Sequence, residues 1–127
     1  MEKLAAARRW VELHNDRSDA GEFVSLLDPE VELQTPGGPR LHGHDQAREW
    51  FEREPENVLV QIIPDRFVEG DDLVVGLGRT EARWIASGEV AYEGESAAVI
   101  WFRDGKILRW QPFETHDAAL QAAGLPS

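Results

Sequence analysis

The side chains of this 127-residue chain whose types and spacing could do chemistry are few: His14, Arg79, Glu81 and Glu114. An imidazole titrates near neutrality, so His14 could act as a general base; the plainer alternative is a helix-end histidine bonded to a carbonyl or to solvent. Arg79 and Glu81 are two apart in GRTEARW, which places them on one face of a strand. They could be a charged pair inside a cavity, or an exposed ion pair worth under about 1 kcal/mol. Glu114 closes the run KILRWQPFE, in which Leu108, Trp110, Pro112 and Glu114 alternate onto one side. His42 and His44 would share a side if LHGH were extended, a two-point metal grip with Glu32 nearby. Such histidines also suit a loop and a helix start, and we assign no metal and no cofactor.

These residues need elements to position them. Leu4, Ala7, Val11 and His14 recur at helical spacing with Trp10 and Leu13 beside them, predicting an amphipathic helix over about residues 2–15 that stacks Trp10 and His14 on one face. The polar break NDRSDAGE leads to FVSLL, a short second helix capped by Ser18 or Asp19 and closed by Asp28-Pro29. VELQ and the loop TPGGPR precede LHGHDQAREWFERE, a third helix with Ala47, Trp50 and Phe51 as its buried stripe and Asp45 near its positive end. Beyond Pro55 come four long β-branched and aromatic runs joined by EGDD, by Gly-containing turns and by RDGK, which predict antiparallel hairpins. DAALQAAGLPS reads as a short terminal helix that carries no chemistry.

Composition narrows the function. The length suits one domain, residues 1–127. No cysteine is present, which excludes disulfides, thiolate nucleophiles and sulfur-built zinc sites. A formal charge of -11 opposes binding to nucleic acid or to anionic lipid. No stretch approaches the roughly 18 apolar residues of a membrane span, and the start lacks a signal-peptide pattern, so the cytoplasm is the expected compartment.

Helices first and a meander afterwards indicate an α+β domain. The initial helix, LLDPEVELQTP, LHGHDQAREWF and the ending FRDGKILRWQPFETHDAALQAAGL together resemble the SnoaL-like and ketosteroid-isomerase-like branch of the nuclear transport factor two superfamily, over essentially the whole chain. The resemblance implies a cone: a curved, mainly antiparallel sheet wrapped around about three helices, enclosing a cavity for a small hydrophobic molecule. It directs the Trp110 face inward. It also implies a homodimer through the outer sheet face, since Ala97, Val99 and Trp101 make that side of their strand as apolar as the Ala98, Ile100 and Phe102 side.

The RTE spacing at Arg79 and Glu81 is similar to the Arg-x-Asp of limonene-epoxide-hydrolase-like members. The second acid of that apparatus falls on Pro112, and its polar pair falls on Glu32 and Gln34. The steroid-isomerase positions fall on Thr35, Trp10 and Ala98, none of them a base. A polyketide-cyclase-like reaction would need one placed acid or base, which Glu114 or His14 could supply. The expected pocket therefore has Trp10, Gln34, Trp50, Phe51, Leu77 and Trp110 as walls. Its function is either enzymatic, on a polyketide-, epoxide- or ketone-like compound, or non-catalytic binding of a ligand or a protein.

Overall fold

The computed structural model describes residues 2–35 and 38–126. Its elements run α1 (Lys3–Asp16), α2 (Ala20–Ser25), β1 (Leu27–Gln34), β2 (Arg40–His42), α3 (Gly43–Glu52), β3 (Val58–Glu69), β4 (Leu73–Trp84), β5 (Val90–Arg103), β6 (Lys106–Phe113) and α4 (His116–Ala122). Local chemistry sets several of these limits. Arg17 closes α1 in the left-handed conformation, φ 53°, with its N–H on the Leu13 carbonyl. Asp19 caps α2 by accepting from the Glu22 N–H at 3.0 Å, and Thr115 caps α4 by accepting from the Ala118 N–H at 3.1 Å. Asp104 and Gly105 both have positive φ, which gives the β5–β6 hairpin the twist its strands require.

The six strands form one sheet in the order β2-β1-β6-β5-β4-β3, antiparallel except for the β1–β6 pair. The α+β cone expected from the resemblance is therefore the fold, with four helices in place of about three. Two expectations at the start of the sheet change. Asp28 and Pro29 do not close α2 but lie inside β1, where Arg103 holds the Asp28 carboxylate through two hydrogen bonds at 2.8 and 3.1 Å. Residues 40–42 form a short strand instead of belonging to the third helix. The central glycines of the TPGGPR loop fall partly outside the described residues.

The core forms two clusters, one on each side of the sheet. On the concave side, α1, α2 and α3 bring Ala6, Trp10, Leu13, Phe23, Ala47 and Phe51 against Val31, Leu33, Val74, Ile100, Phe102, Ile107 and Trp110. On the convex side, Leu73, Val75, Leu77, Ala97 and Val99 are covered by Ala119 and Leu120 of α4. The doubly apolar β5 thus obtains its second layer from the chain's own last helix. Val99 is fully buried there, so it is not a dimer surface; of Ala97, Val99 and Trp101, Trp101 alone is half-buried, beneath the Arg109 guanidinium at 5.0 Å, at the edge of that patch.

Two irregularities in the strands matter for the site. Between β5 and β6 the register shifts so that Phe102 pairs with Ile107 and Trp101 with Arg109, leaving Leu108 as an extra residue. The inward residues of β6 are consequently Ile107, Trp110 and Pro112, and Leu108 falls out of phase with them. Between β3 and β4 the extra residue is Asp65. Opposite it, a Cβ on Gly78 would stand 2.1 Å from the Ile63 carbonyl oxygen, so the strands can meet there only at a glycine.

Candidate functional site

Helix α1 and the end of α3 stand off the concave face of β3, β4, β5 and β6, and a cavity of about 570 Å³ lies between them. Its apolar walls come from Val11, Trp50, Ile62, Phe67, Ile100 and Trp110. Gly76 faces this space from β4, where even a Cβ would meet the Phe67 ring at 3.3 Å. The exposed connection Arg53–Asn57 contributes to the rim.

His14 is the titratable group built most firmly into this wall. Its ring is 5 % exposed and packs between Trp10, centroid to centroid 5.5 Å, and Trp50, 5.8 Å. Burial, with a smaller contribution from the positive charge of Arg17, pushes its pKa down to about 4, and the imidazole is neutral at pH 7. The geometry around Asn15 also settles which nitrogen carries the proton. The Asn15 amide grips one peptide of the edge strand β3, its Nδ2 donating to the Ile62 carbonyl at 2.8 Å and its Oδ1 accepting from the Ile62 N–H at 2.9 Å. That orientation leaves Oδ1 as the atom 3.1 Å from His14 Nδ1, so Nδ1 must donate and Nε2 carries the free lone pair. The site therefore presents a hydrogen-bond acceptor that no protein group occupies among the described residues.

One turn further on, Arg17 enters the same wall. Its guanidinium lies 4.3 Å above the Trp50 ring, and Nη1 donates to the carbonyls of Trp50 at 3.4 Å and Phe51 at 3.2 Å. Partial burial lowers its pKa from the usual arginine value, although a guanidinium remains a cation throughout the physiological range. The remaining polar side chains inside the cavity are neutral: Thr35, whose hydroxyl donates to the Pro39 carbonyl at 2.7 Å, and Thr80 and Ser96, whose hydroxyls bond each other at 2.7 Å; Arg79 borders the cavity through its strand, with its guanidinium on Glu93, and Arg53 stands on the exposed rim. The carboxylates at the cavity, Glu54 and Glu56, belong to its exposed rim.

The other residues singled out in the sequence are dispersed. Trp50 and Trp110 line the cavity as expected. Trp10 does not; it lies behind the wall, 1 % exposed and 5.1 Å from Trp110, with its indole N–H buried and unpartnered. Phe51 sits in the same rear layer, stacked on Phe23 at 4.3 Å. Leu77 borders the cavity through its strand, but its side chain belongs to the convex cluster. Gln34 is spent on the carbonyls of Thr35 and Gly38.

Strand phase explains why the charged residues are elsewhere. Thr80 points to the cavity with Ser96, so its neighbours Arg79 and Glu81 stand on the convex face. There Arg79 bonds Glu93 across the β4–β5 pair, and Arg83 of the same strand donates to Glu81 at 2.5 Å, so the ion pairing weighed above as the alternative is what forms. Glu114 follows the end of β6, is exposed and does not reach the cavity. His44 Nε2 donates to the Leu27 carbonyl, 2.8 Å away, while His42 pairs across β1–β2 with Glu32; among the described residues no three ligands converge on a metal position.

Sequence reasoning missed Arg17 and Asn15, and met Thr35 only as a steroid-isomerase position that lacks a base. Arg17 lay in what read as a plain polar break, and it stands just past α1 in the left-handed conformation, so helical spacing does not reveal the side it takes. Among the described residues no helix is long and apolar enough to cross a membrane.

The comparisons with known proteins agree with this architecture. A nuclear-transport-factor-two-like protein of unknown function from Burkholderia pseudomallei superposes with a TM-score of 0.74 at 21 % identity, covering 93 % of this chain and 94 % of that one. TerC, co-crystallised with polyporic acid, gives 0.73 at 25 % identity over 91 % and 92 %. A protein with a ketosteroid-isomerase-like fold from Catenulispora acidiphila, in complex with trimethylamine, gives 0.72 at 15 % identity over 95 % and 93 %. No curated protein sequence matches. The sequence model of the SnoaL-like domain matches residues 7–110, most of the chain, and the protein belongs to that family.

Proposed function

We propose that this SnoaL-like domain binds a small, largely apolar molecule in the concave cavity, with His14 as the group able to take a proton from it. The observation that carries the reading is the cavity itself, a volume in the range of small-molecule sites, walled by aromatic and aliphatic side chains with His14 Nε2 as an open acceptor. Arg79 and Glu81 face away from that space, which favours a ketone- or polyketide-like ligand over water-dependent opening of an epoxide. The polyporic acid held by TerC, a protein of the same fold, supports a ligand of this kind. A base whose pKa is held near 4 is weak, so any proton it removes must leave behind a stabilised anion; Arg17 is the cation available for that. Homodimerisation remains part of the proposal, with Trp101 as its apolar contact.

Trp50 and Trp110 line the cavity, so their fluorescence reports its occupation. Titration with an aromatic ketone such as acetonaphthone should quench the emission saturably. Ala98→Phe, which grows a ring into the cavity from β5, should abolish the response while the fold is kept. Quenching that persists in the filled variant would place the ligand elsewhere and remove the reading.

A further inference from the structure

Of the arginines that bond no carboxylate among the described residues (Arg8, Arg17, Arg40, Arg66 and Arg109), Arg17 is the one that lines the cavity. The chain has 24 acidic side chains against 13 Lys and Arg, and Arg9, Arg48, Arg53, Arg79, Arg83 and Arg103 each bond a carboxylate. Arg17 has none among the described residues; its half-buried guanidinium rests on an aromatic face and two carbonyls, both reached through Nη1. Among the described residues its Nε and Nη2 hydrogens have no protein acceptor. A partly desolvated cation without a counter-charge is costly to keep, and this one borders the ligand cavity. Beside it, against the same Trp50 ring, stands the opposite kind of group: a neutral imidazole whose Nδ1 is committed to Asn15 and whose Nε2 can only accept.

An acceptor next to an unpaired cation selects among ligand groups. A carboxylate would suit Arg17 but would set its oxygens against the Nε2 lone pair. A ketone or ether would leave Nε2 without a donor. A hydroxyl suits both, giving its hydrogen to Nε2 and turning its oxygen to the guanidinium. We propose that Arg17 and His14 form a two-point site for an ionisable hydroxyl, phenolic or enolic, on a flat apolar ligand. The inference rests on the ligand-binding reading of the cavity and specifies the ligand's polar group. On ionisation the O–H bond breaks, the proton leaves by way of Nε2 to solvent so that the imidazole ends neutral, and the electron pair stays on oxygen beside Arg17. Arg17 is on this account a binding residue that decides which ligands can ionise in the cavity.

Coumarin, 7-methoxycoumarin and 7-hydroxycoumarin share one ring system, and the absorbance of the last reports its ionisation. The hydroxyl compound should bind about tenfold more tightly than the methoxy compound, the effect of one well-made hydrogen bond to a buried acceptor. Its hydroxyl should ionise about one pH unit lower when bound than when free, as expected for a cation a few ångströms away. Arg17→Met should abolish that displacement and Arg17→Lys should restore part of it, whatever either does to affinity. His14→Phe should erase the preference for hydroxyl over methoxy. Equal binding of the two in the unaltered protein, or an ionisation displacement that survives Arg17→Met, overturns the hydroxyl site while leaving the cavity as a ligand site. Failure of all three coumarins to bind overturns the cavity reading as well.

Discussion

Acidification from pH 7 to pH 4 should destabilise this protein through His14 by an amount that can be worked out. The folded pKa is depressed to about 4, while the unfolded chain titrates at the ordinary 6.5. Between these values the unfolded state binds a proton that the folded state refuses, so stability from this group is complete above pH 6.5 and is lost as the pH falls toward 4. Each pKa unit corresponds to about 1.4 kcal/mol, and the two titration curves together give a loss of roughly 2 kcal/mol by pH 5 and roughly 3 kcal/mol by pH 4. Carboxylates titrate over the same range and would obscure this in a single protein. The measurement is therefore a difference: urea unfolding at several pH values for the unaltered chain and for His14→Phe, which keeps a flat ring between Trp10 and Trp50 but cannot titrate. The stability difference between them should change by about 3 kcal/mol from pH 7 to pH 4, with the unaltered chain losing ground. A difference that stays constant across this range would mean that His14 titrates normally, and the argument that its burial holds it neutral would be wrong.

Other outcomes follow from the same coordinates. Gly78→Ala should cost several kcal/mol, on the order of 3 to 5, because the clash is with the backbone of Ile63 and cannot be relieved by a rotamer; a melting temperature within a few degrees of the parent would refute it. Glu81→Gln should leave acetonaphthone affinity within about twofold and lower stability by no more than about 1 kcal/mol, since the carboxylate sits in a convex-face pair; a large loss of binding would return it to the site. Trp10→Phe should destabilise by less than its loss of volume implies, about 1 to 2 kcal/mol by chemical denaturation, because it also removes a buried N–H that has no partner. Light scattering at micromolar concentration should give about twice the 14.3 kDa chain mass, and Trp101→Glu should return a monomer; a monomeric parent refutes the dimer.

Much of the fold was legible because its signals are periodic. The 3.6-residue spacing of Leu4, Ala7 and Val11 and the Asp-Gly of the last hairpin depend on near neighbours, and both elements stand where they were expected. Alternation failed where one residue was inserted: Leu108 moves the β6 pattern by one position, and nothing in KILRWQPF marks it as the extra residue. The site was harder to read, since facing depends on absolute phase as well as period. Arg79 and Glu81 were correctly placed on one side of β4, but nothing within GRTEARW says which side holds the cavity; Gly76 and Gly78, which fit only where the facing strand or ring comes close, mark the concave side once the partner strand is known. His14 could be found because it combines a helical apolar stripe with a titratable ring. Arg17 could not, because its significance lies in lacking an acidic partner, a property of the assembled surface.

The hold of Asn15 on Ile62 has a further consequence for how this chain behaves in crowded solution. Strand β3 is an outer edge of the sheet, and its twelve residues make a long template for another strand to join. By occupying the N–H and the C=O of Ile62 in the middle of that edge, the amide interrupts the row of groups an incoming strand would need. Gln61, which donates to the Asn15 carbonyl at 3.3 Å, secures the helix end at the same point. The side chain that decides which nitrogen of His14 meets a ligand is thus also a stopper against fibril growth. Loss of Asn15 would be felt first in shelf life, as slow self-association of a protein that is still folded.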